Sequence, residues 1–133
     1  MPLSKPQRDD FIAASRELIG SPWKHMGRNV IGVDCVGVVL YGLERVGITL
    51  DVKPYRHEPD FKLMFKHLRS IARQSITVEP GGIVLFMSRN MVHVAVTTPS
   101  NRIVHSDQRH GFVSEVPFTE PWRSYPYSFW EIK

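Results

Sequence analysis

The chain has 133 residues, one of them cysteine and six histidine, and a formal net charge of +4. That length fits one domain over 1–133 with a real apolar core, and a single cysteine excludes both an internal disulfide and a cysteine-rich zinc module. The mildly basic balance suits an anionic partner, but Lys and Arg are scattered and the aromatic residues are not interleaved with basic clusters, which argues against a nucleic-acid binder.

The N-terminal stretch Met1–Asp10 is polar and carries no apolar signal-peptide core, and no segment approaches the roughly 18 apolar residues of a membrane span. The chain therefore reads as made in the cytoplasm without a signal peptide, with no membrane span, so any action outside the cell needs separate delivery. Phe11, Ala14, Ser15, Leu18 and Ile19 recur at helical spacing until Gly20-Ser21-Pro22 stops them. A polar loop follows from Gly27 to Gly32. A second helix fits Cys35 to Val46, with Val36, Val39, Leu40 and Leu43 on one face and Gly47 as its stop. A third fits Phe61 to Ala72, capped by Asp60, with Phe61, Met64, Phe65 and Leu68 as its apolar face.

The second half changes character. After the turn Pro80-Gly81-Gly82 come short strand-like runs at Ile83–Phe86, Val92–Thr97, Arg102–His105, Phe112–Val116 and Ser128–Ile132. Helices first and hairpins after predict an α+β fold with N-terminal helices packed on a central antiparallel sheet.

Three residues can carry chemistry. Asp34 sits where a carboxylate caps the second helix, which places Cys35 at the first helical position. The positive end of the helix there favours thiolate over thiol, and Gly37 keeps bulk away from the sulfur. The plain alternative is a buried structural cysteine. In Val92–Val96 the valines share one face, expected to be core, while His93 and Ala95 share the other. With the next hairpin centred on Pro99, His93 falls opposite His105, about 5 Å away at Cβ. A second imidazole there can fix the tautomer and orientation of the first, with Asp107 as the fallback orienting group. Thiol, base and orienter then form the unit used in cysteine acyl transfer. The same residues, with His25, are also a zinc ligand set on paper, although no paired His spacing of the usual metal kind is present.

In order along the chain, Leu18–Trp23, Gly32-Val33-Asp34-Cys35-Val36-Gly37, Pro80–Phe86, His93-Val94-Ala95-Val96 and Ile103-Val104-His105-Ser106 resemble the successive motifs of the NlpC/P60 cysteine peptidases. Trp23-Lys24-His25, the insert Pro54–Leu68 and the aromatic C-terminus look most like the phage-tail and gene-transfer-agent cell-wall branch. The resemblance implies a papain-like fold and hydrolysis of amide bonds in peptidoglycan stem peptides through an acyl-enzyme, with no cofactor or metal. It carries Cys35 over as nucleophile, His93 as base and His105 as orienting residue. Asp34 and Trp23 support the oxyanion region, and Lys24, His25, Arg28 and Arg56 are candidates for meeting substrate carboxylates. It also implies phage tail-tip proteins as possible partners and the cell wall or a virion tail as the place of action. Trp23 stands where the family has tyrosine, Val36 where it has serine, and Gly82 where it has aspartate. These departures leave two rivals standing: a catalytically weak tail-assembly protein on the same fold, and an amidase or acyltransferase with another amide substrate.

Overall fold

The computed structural model describes residues 2–56, 60–77 and 79–133. Among them, three helices precede or flank a six-stranded antiparallel sheet, as the change of pattern along the chain predicts. Helix α1 is Lys5–Glu17, the short hairpin β1–β2 is Arg28–Asn29 with Gly32–Val33, α2 is Cys35–Arg45 and α3 is Phe61–Ile71. The large sheet uses β3 (Ala72–Ser75), β4 (Ile83–Ser88), β5 (Met91–Thr98), β6 (Arg102–Asp107), β7 (Phe112–Pro117) and β8 (Tyr127–Ile132), in the order β3-β8-β4-β5-β6-β7. No helix among the described residues is long and apolar enough to cross a membrane.

Local sequence explains the element ends. Ser4 accepts a hydrogen bond from the Gln7 N–H while the Gln7 side chain accepts from the Ser4 N–H, a reciprocal cap that starts α1 well before the first apolar residue. The helix ends at Glu17, so Ile19 lies outside it and is exposed rather than on the buried face. Asp60 caps α3 through the Leu63 N–H as expected. Ala72 belongs to β3 instead of α3, and Phe61 is exposed. The loop expected between Gly27 and Gly32 contains the β1–β2 hairpin.

Helix α1 crosses α2 where Phe11 meets Gly42: a Cβ on that glycine would stand 2.6 Å from the Phe11 ring. The main core lies between the helices and one face of the sheet, with Ile83, Leu85, Val94, Val96 and Val104 pointing into it. The opposite face, the one His93 and Ala95 share, is a second core. Val84, Phe86, Ala95 and Ile103 are covered there by Phe118 and Trp122 from the segment between β7 and β8. His93 and His105 lie on this second face and are buried.

The hairpin β5–β6 departs from the expected register. Its pairs are Thr98↔Arg102, Thr97↔Ile103 and Val96↔Val104, so it turns about Ser100 rather than Pro99. Ser100 and Asn101 both take positive φ, 65° and 55°, and make the reversal that proline was expected to centre. Moving the centre by one residue shifts the opposing partner by two, which preserves the face. His93 and His105 therefore remain on one side of the sheet, offset diagonally. The ladder stops at Val96↔Val104, and the two strands part before they reach the histidines.

Candidate active site

Cys35 opens α2 because Asp34 caps it: Asp34 Oδ1 accepts from the Gly37 N–H at 2.8 Å. The same carboxylate takes the Met26 N–H at 2.8 Å, the Arg28 guanidinium at 2.9 Å and the Tyr55 hydroxyl. Arg28 also donates to the Tyr55 oxygen at 3.1 Å. Burial and the bond to Asp34 raise the Tyr55 phenol well above its ordinary value, so it remains a donor. This cluster fastens the start of α2 to the Met26–Arg28 loop and to the segment ahead of α3. Gly37 serves that closure rather than the sulfur, since a Cβ there would meet the Gly27 carbonyl oxygen at 2.2 Å and Val33 at 2.5 Å.

Asp34 is buried, and breaking one side of a buried ion pair strands the other. Asp34→Ala removes both the cap and the Arg28 partner, and should cost about 3 kcal/mol of stability. Urea unfolding of the variant beside wild type checks this. A change within the error of the fit would mean that the cluster contributes nothing net.

Cys35 is half-buried. Desolvation first, then the Asp34 carboxylate, pushes its thiol up to about 12, while backbone hydrogen bonds from Val94, Val36 and Cys35 itself pull the other way. That direction runs against the thiolate expected at the helix start, because burial raises the thiol that the helix end would lower.

His93 Nε2 lies 2.8 Å from His105 Nδ1, a hydrogen bond that spans the gap where β5 and β6 part. Asp107, the fallback orienter, makes no such bond. Its carboxylate is held by the Arg109 backbone N–H at 3.2 Å and by the Arg109 guanidinium at 3.4 Å. Burial pushes Asp107 upward, but its hydrogen bonds with Arg109 and the nearby charges of His93 and Arg109 leave it below the usual carboxylate value. Trp122 stacks on His93 with ring centroids 5.1 Å apart and stands edge-on to His105 at 4.8 Å. The Arg109 guanidinium lies 5.5 Å from the same indole. His105 Nε2 is buried without a hydrogen-bond partner among the described residues.

Burial holds both imidazoles below their ordinary value, His93 at about 3 and His105 at about 4. The unfolded chain, with histidine near 6.5, then binds more protons than the folded one below that pH. Stability from this pair is fully present above about pH 6.5 and is lost as pH falls through the folded values. Chemical denaturation from pH 7 to pH 4 should show a progressive loss of stability as the unfolded chain takes up protons that the buried pair refuses. A midpoint that stays constant across that window would contradict the buried, neutral pair.

Cys35, His93, Trp23, Asp34, Tyr55 and Arg56 line one cavity of about 530 Å³, together with Asp107 and Arg109. The other candidates for substrate carboxylates are placed elsewhere. Arg28 is engaged with Asp34 and Tyr55, the His25 ring bonds the Tyr55 backbone oxygen at 2.9 Å, and the Lys24 side chain lies along Gly32. None of the three is in the cavity wall, whereas Arg56 is. Among the described residues no three His, Cys, Asp or Glu side chains gather as a metal site needs, which removes the geometric basis for a zinc set of Cys35, His93, His105 and His25. Tyr55, Arg109 and Trp122 were not found by sequence reasoning. Tyr55 lies ahead of the periodic part of its insert, and Trp122 in an irregular segment whose only signal is its aromatic content.

The NlpC/P60 family pattern matches residues 20–131. The chain belongs to the NlpC/P60 family. The fold agrees with solved members. It superposes on an NlpC/P60 family protein from Bacillus cereus ATCC 10987 with a TM-score of 0.69 at 21% identity, covering 96% of this chain and 40% of that one. The NlpC/P60 domain of the peptidoglycan hydrolase SagA gives a TM-score of 0.65 at 19% identity, with 91% and 96% covered. The P60 domain of the Mycobacterium avium subspecies paratuberculosis antigen MAP1204 gives 0.66 at 15%, with 94% and 93% covered. The chain thus spans about two fifths of the Bacillus cereus protein and nearly all of the two isolated domains. No curated protein sequence matches it.

Proposed function

We propose that this NlpC/P60 chain is a cysteine peptidase that hydrolyses amide bonds in peptidoglycan stem peptides, with Cys35 as nucleophile, His93 as general base and His105 as the residue that orients it. The observation that carries the reading is that His93, held by a 2.8 Å bond to the buried His105, lines the same cavity as Cys35. Family membership supplies the substrate class, and SagA is a peptidoglycan hydrolase.

The ring nitrogens have separate tasks. The mechanism requires the tautomer in which His93 Nε2–H donates to His105 Nδ1 across the 2.8 Å contact, which leaves His93 Nδ1 bare to take the thiol proton. The sulfur attacks the carbonyl carbon as that proton leaves, and the developing oxyanion takes over the Cys35 and Val36 N–H groups that face the sulfur at the start of α2. His93 then protonates the departing amine, and a Cys35 thioester remains. Water, deprotonated by His93, attacks the thioester, the carboxylic acid departs and the thiol is restored. A neutral thiol beside a neutral imidazole suits this sequence, because the proton moves as the bond forms. Arg56, on the cavity wall, is the candidate for meeting substrate carboxylates, and Trp23 lines the same cavity without the hydroxyl of the family tyrosine.

The continuous core, from Leu3 to Ile132, supports reading 1–133 as one domain. The similarity of Trp23-Lys24-His25, the 54–68 segment and the aromatic C-terminus to phage-tail enzymes supports delivery with a phage tail or prophage and contact with tail-tip proteins. Digestion of purified peptidoglycan tests the function. New free amino groups and peptide fragments are expected. Intact stem peptides, or new reducing sugar ends instead, would overturn it.

A further inference from the structure

One hydrogen bond joins His93 to His105, which fixes a distance and leaves each ring free to turn about it. The strands do not supply the missing constraint. Their ladder stops at Val96↔Val104, and each histidine is paired to its other neighbour, His93 to Phe86 on β4 and His105 to Ser114 on β7. Trp122, from the segment between β7 and β8, touches both rings. Its indole is nearly parallel to His93, at 19° with centroids 5.1 Å apart, and nearly perpendicular to His105, at 88° and 4.8 Å. The two imidazoles stand 77° apart, so one flat indole matches both orientations. The indole is fixed in turn. It is buried, packs on Phe86 at 5.1 Å and has the Arg109 guanidinium 5.5 Å from its ring, while Asp107 and the Tyr125 hydroxyl accept from that guanidinium.

We infer that Trp122 is the positioning residue of the histidine pair: it fixes the planes of both rings and keeps water from them. This rests on the proposed function only in taking His93 as the base. A base must present its lone pair to the thiol, and misplacing a reacting group by about 1 Å can cost on the order of a hundredfold in rate. Burial is the largest influence on His93, ahead of its charged neighbours. Those are His105 and Asp107 on β6 and Arg109 after it, and Cys35 at the start of α2 lines the same cavity. Opening the stack to water therefore moves His93 towards ordinary imidazole behaviour.

Trp122→Leu keeps an apolar cover without a ring to stack, and Trp122→Phe restores a ring. Trp122→Met takes the place of Trp122→Leu should that variant fold poorly. The experiment follows the imidazole NMR signal of His93 in the full chain, identified by its loss in His93→Gln, from pH 7 down to about pH 5, beside kcat and KM on a stem peptide. The signal should stay still in wild type and Trp122→Phe, and should titrate in Trp122→Leu with a midpoint near about 6.5. In Trp122→Leu kcat should fall about tenfold to a hundredfold with KM within about twofold, and Trp122→Phe should recover most of the loss. A His93 signal that stays still in folded Trp122→Leu would overturn the inference. So would Trp122→Phe no better than Trp122→Leu, because stacking would then count for nothing. A signal that titrates in Trp122→Leu alone, in a protein that cleaves no stem peptide, retires only the proposed function. Cleavage by wild type with a still signal in folded Trp122→Leu retires only this inference.

Discussion

Cys35→Ala should abolish release of amino groups from peptidoglycan, to below about a thousandth of the wild-type rate, because no other residue can form the thioester. The chain holds one cysteine, so no second thiol can substitute. The fold should survive the change. The residue lost is small and half-buried, and Asp34 still caps α2 through the Gly37 N–H. Thermal melting of the variant should therefore stay close to wild type while turnover disappears. Wild-type hydrolysis by Cys35→Ala would remove the thiol from the mechanism altogether.

His93→Ala should lower kcat/KM by about 10²- to 10⁴-fold, the usual contribution of a positioned general base. Its structural cost is distinct, since it strips His105 Nδ1 of its partner and unstacks Trp122, and a buried polar group left unpaired costs about 1–3 kcal/mol. The pH profile separates the two effects. A base must be unprotonated to act, so activity rises with pH through the His93 value. Burial first, and then the neighbouring His105, holds that value far below the ordinary imidazole. The acid limb of wild-type kcat/KM should accordingly lie well below pH 6.5, with a plateau through neutrality. A limb at the ordinary imidazole value would mean that His93 is solvated during catalysis and that the stacked, buried geometry is not the working one.

Local chemistry was readable in the sequence, and packing was not. The Asp34 cap, the helical start at Cys35 and the alternation that puts His93 and Ala95 on one face depend on neighbours a few residues away. Each of these is found as expected. The pairing of His93 with His105 came through a register that the structure changes. It survives because the turn moved by one residue and the partner therefore by two, an even step that keeps the face. The capping box at Ser4 and Gln7 was in plain view but lay ahead of the first apolar residue, where periodicity gives no signal. Strand β3, Ala72–Ser75, has no apolar alternation because it is a sheet edge that pairs only with β8. The rise in the Cys35 thiol was hidden for a different reason. The helix end that lowers it is a local feature, whereas the desolvation that raises it arises only once the chain is folded around it. Trp122, which seals the histidine pair, reaches the site from a segment with no regular pattern at all.

The most direct test of the central claim is interception of the thioester. Wild-type protein would hydrolyse a stem peptide in the presence of increasing hydroxylamine, and the products would be weighed by mass spectrometry. A Cys35 thioester divides between water and hydroxylamine, so a peptide hydroxamate should appear and grow at the expense of the carboxylic acid. Carboxylic acid alone at every hydroxylamine concentration would contradict the account, because it would mean that water attacks the amide directly and that Cys35 never carries the acyl group.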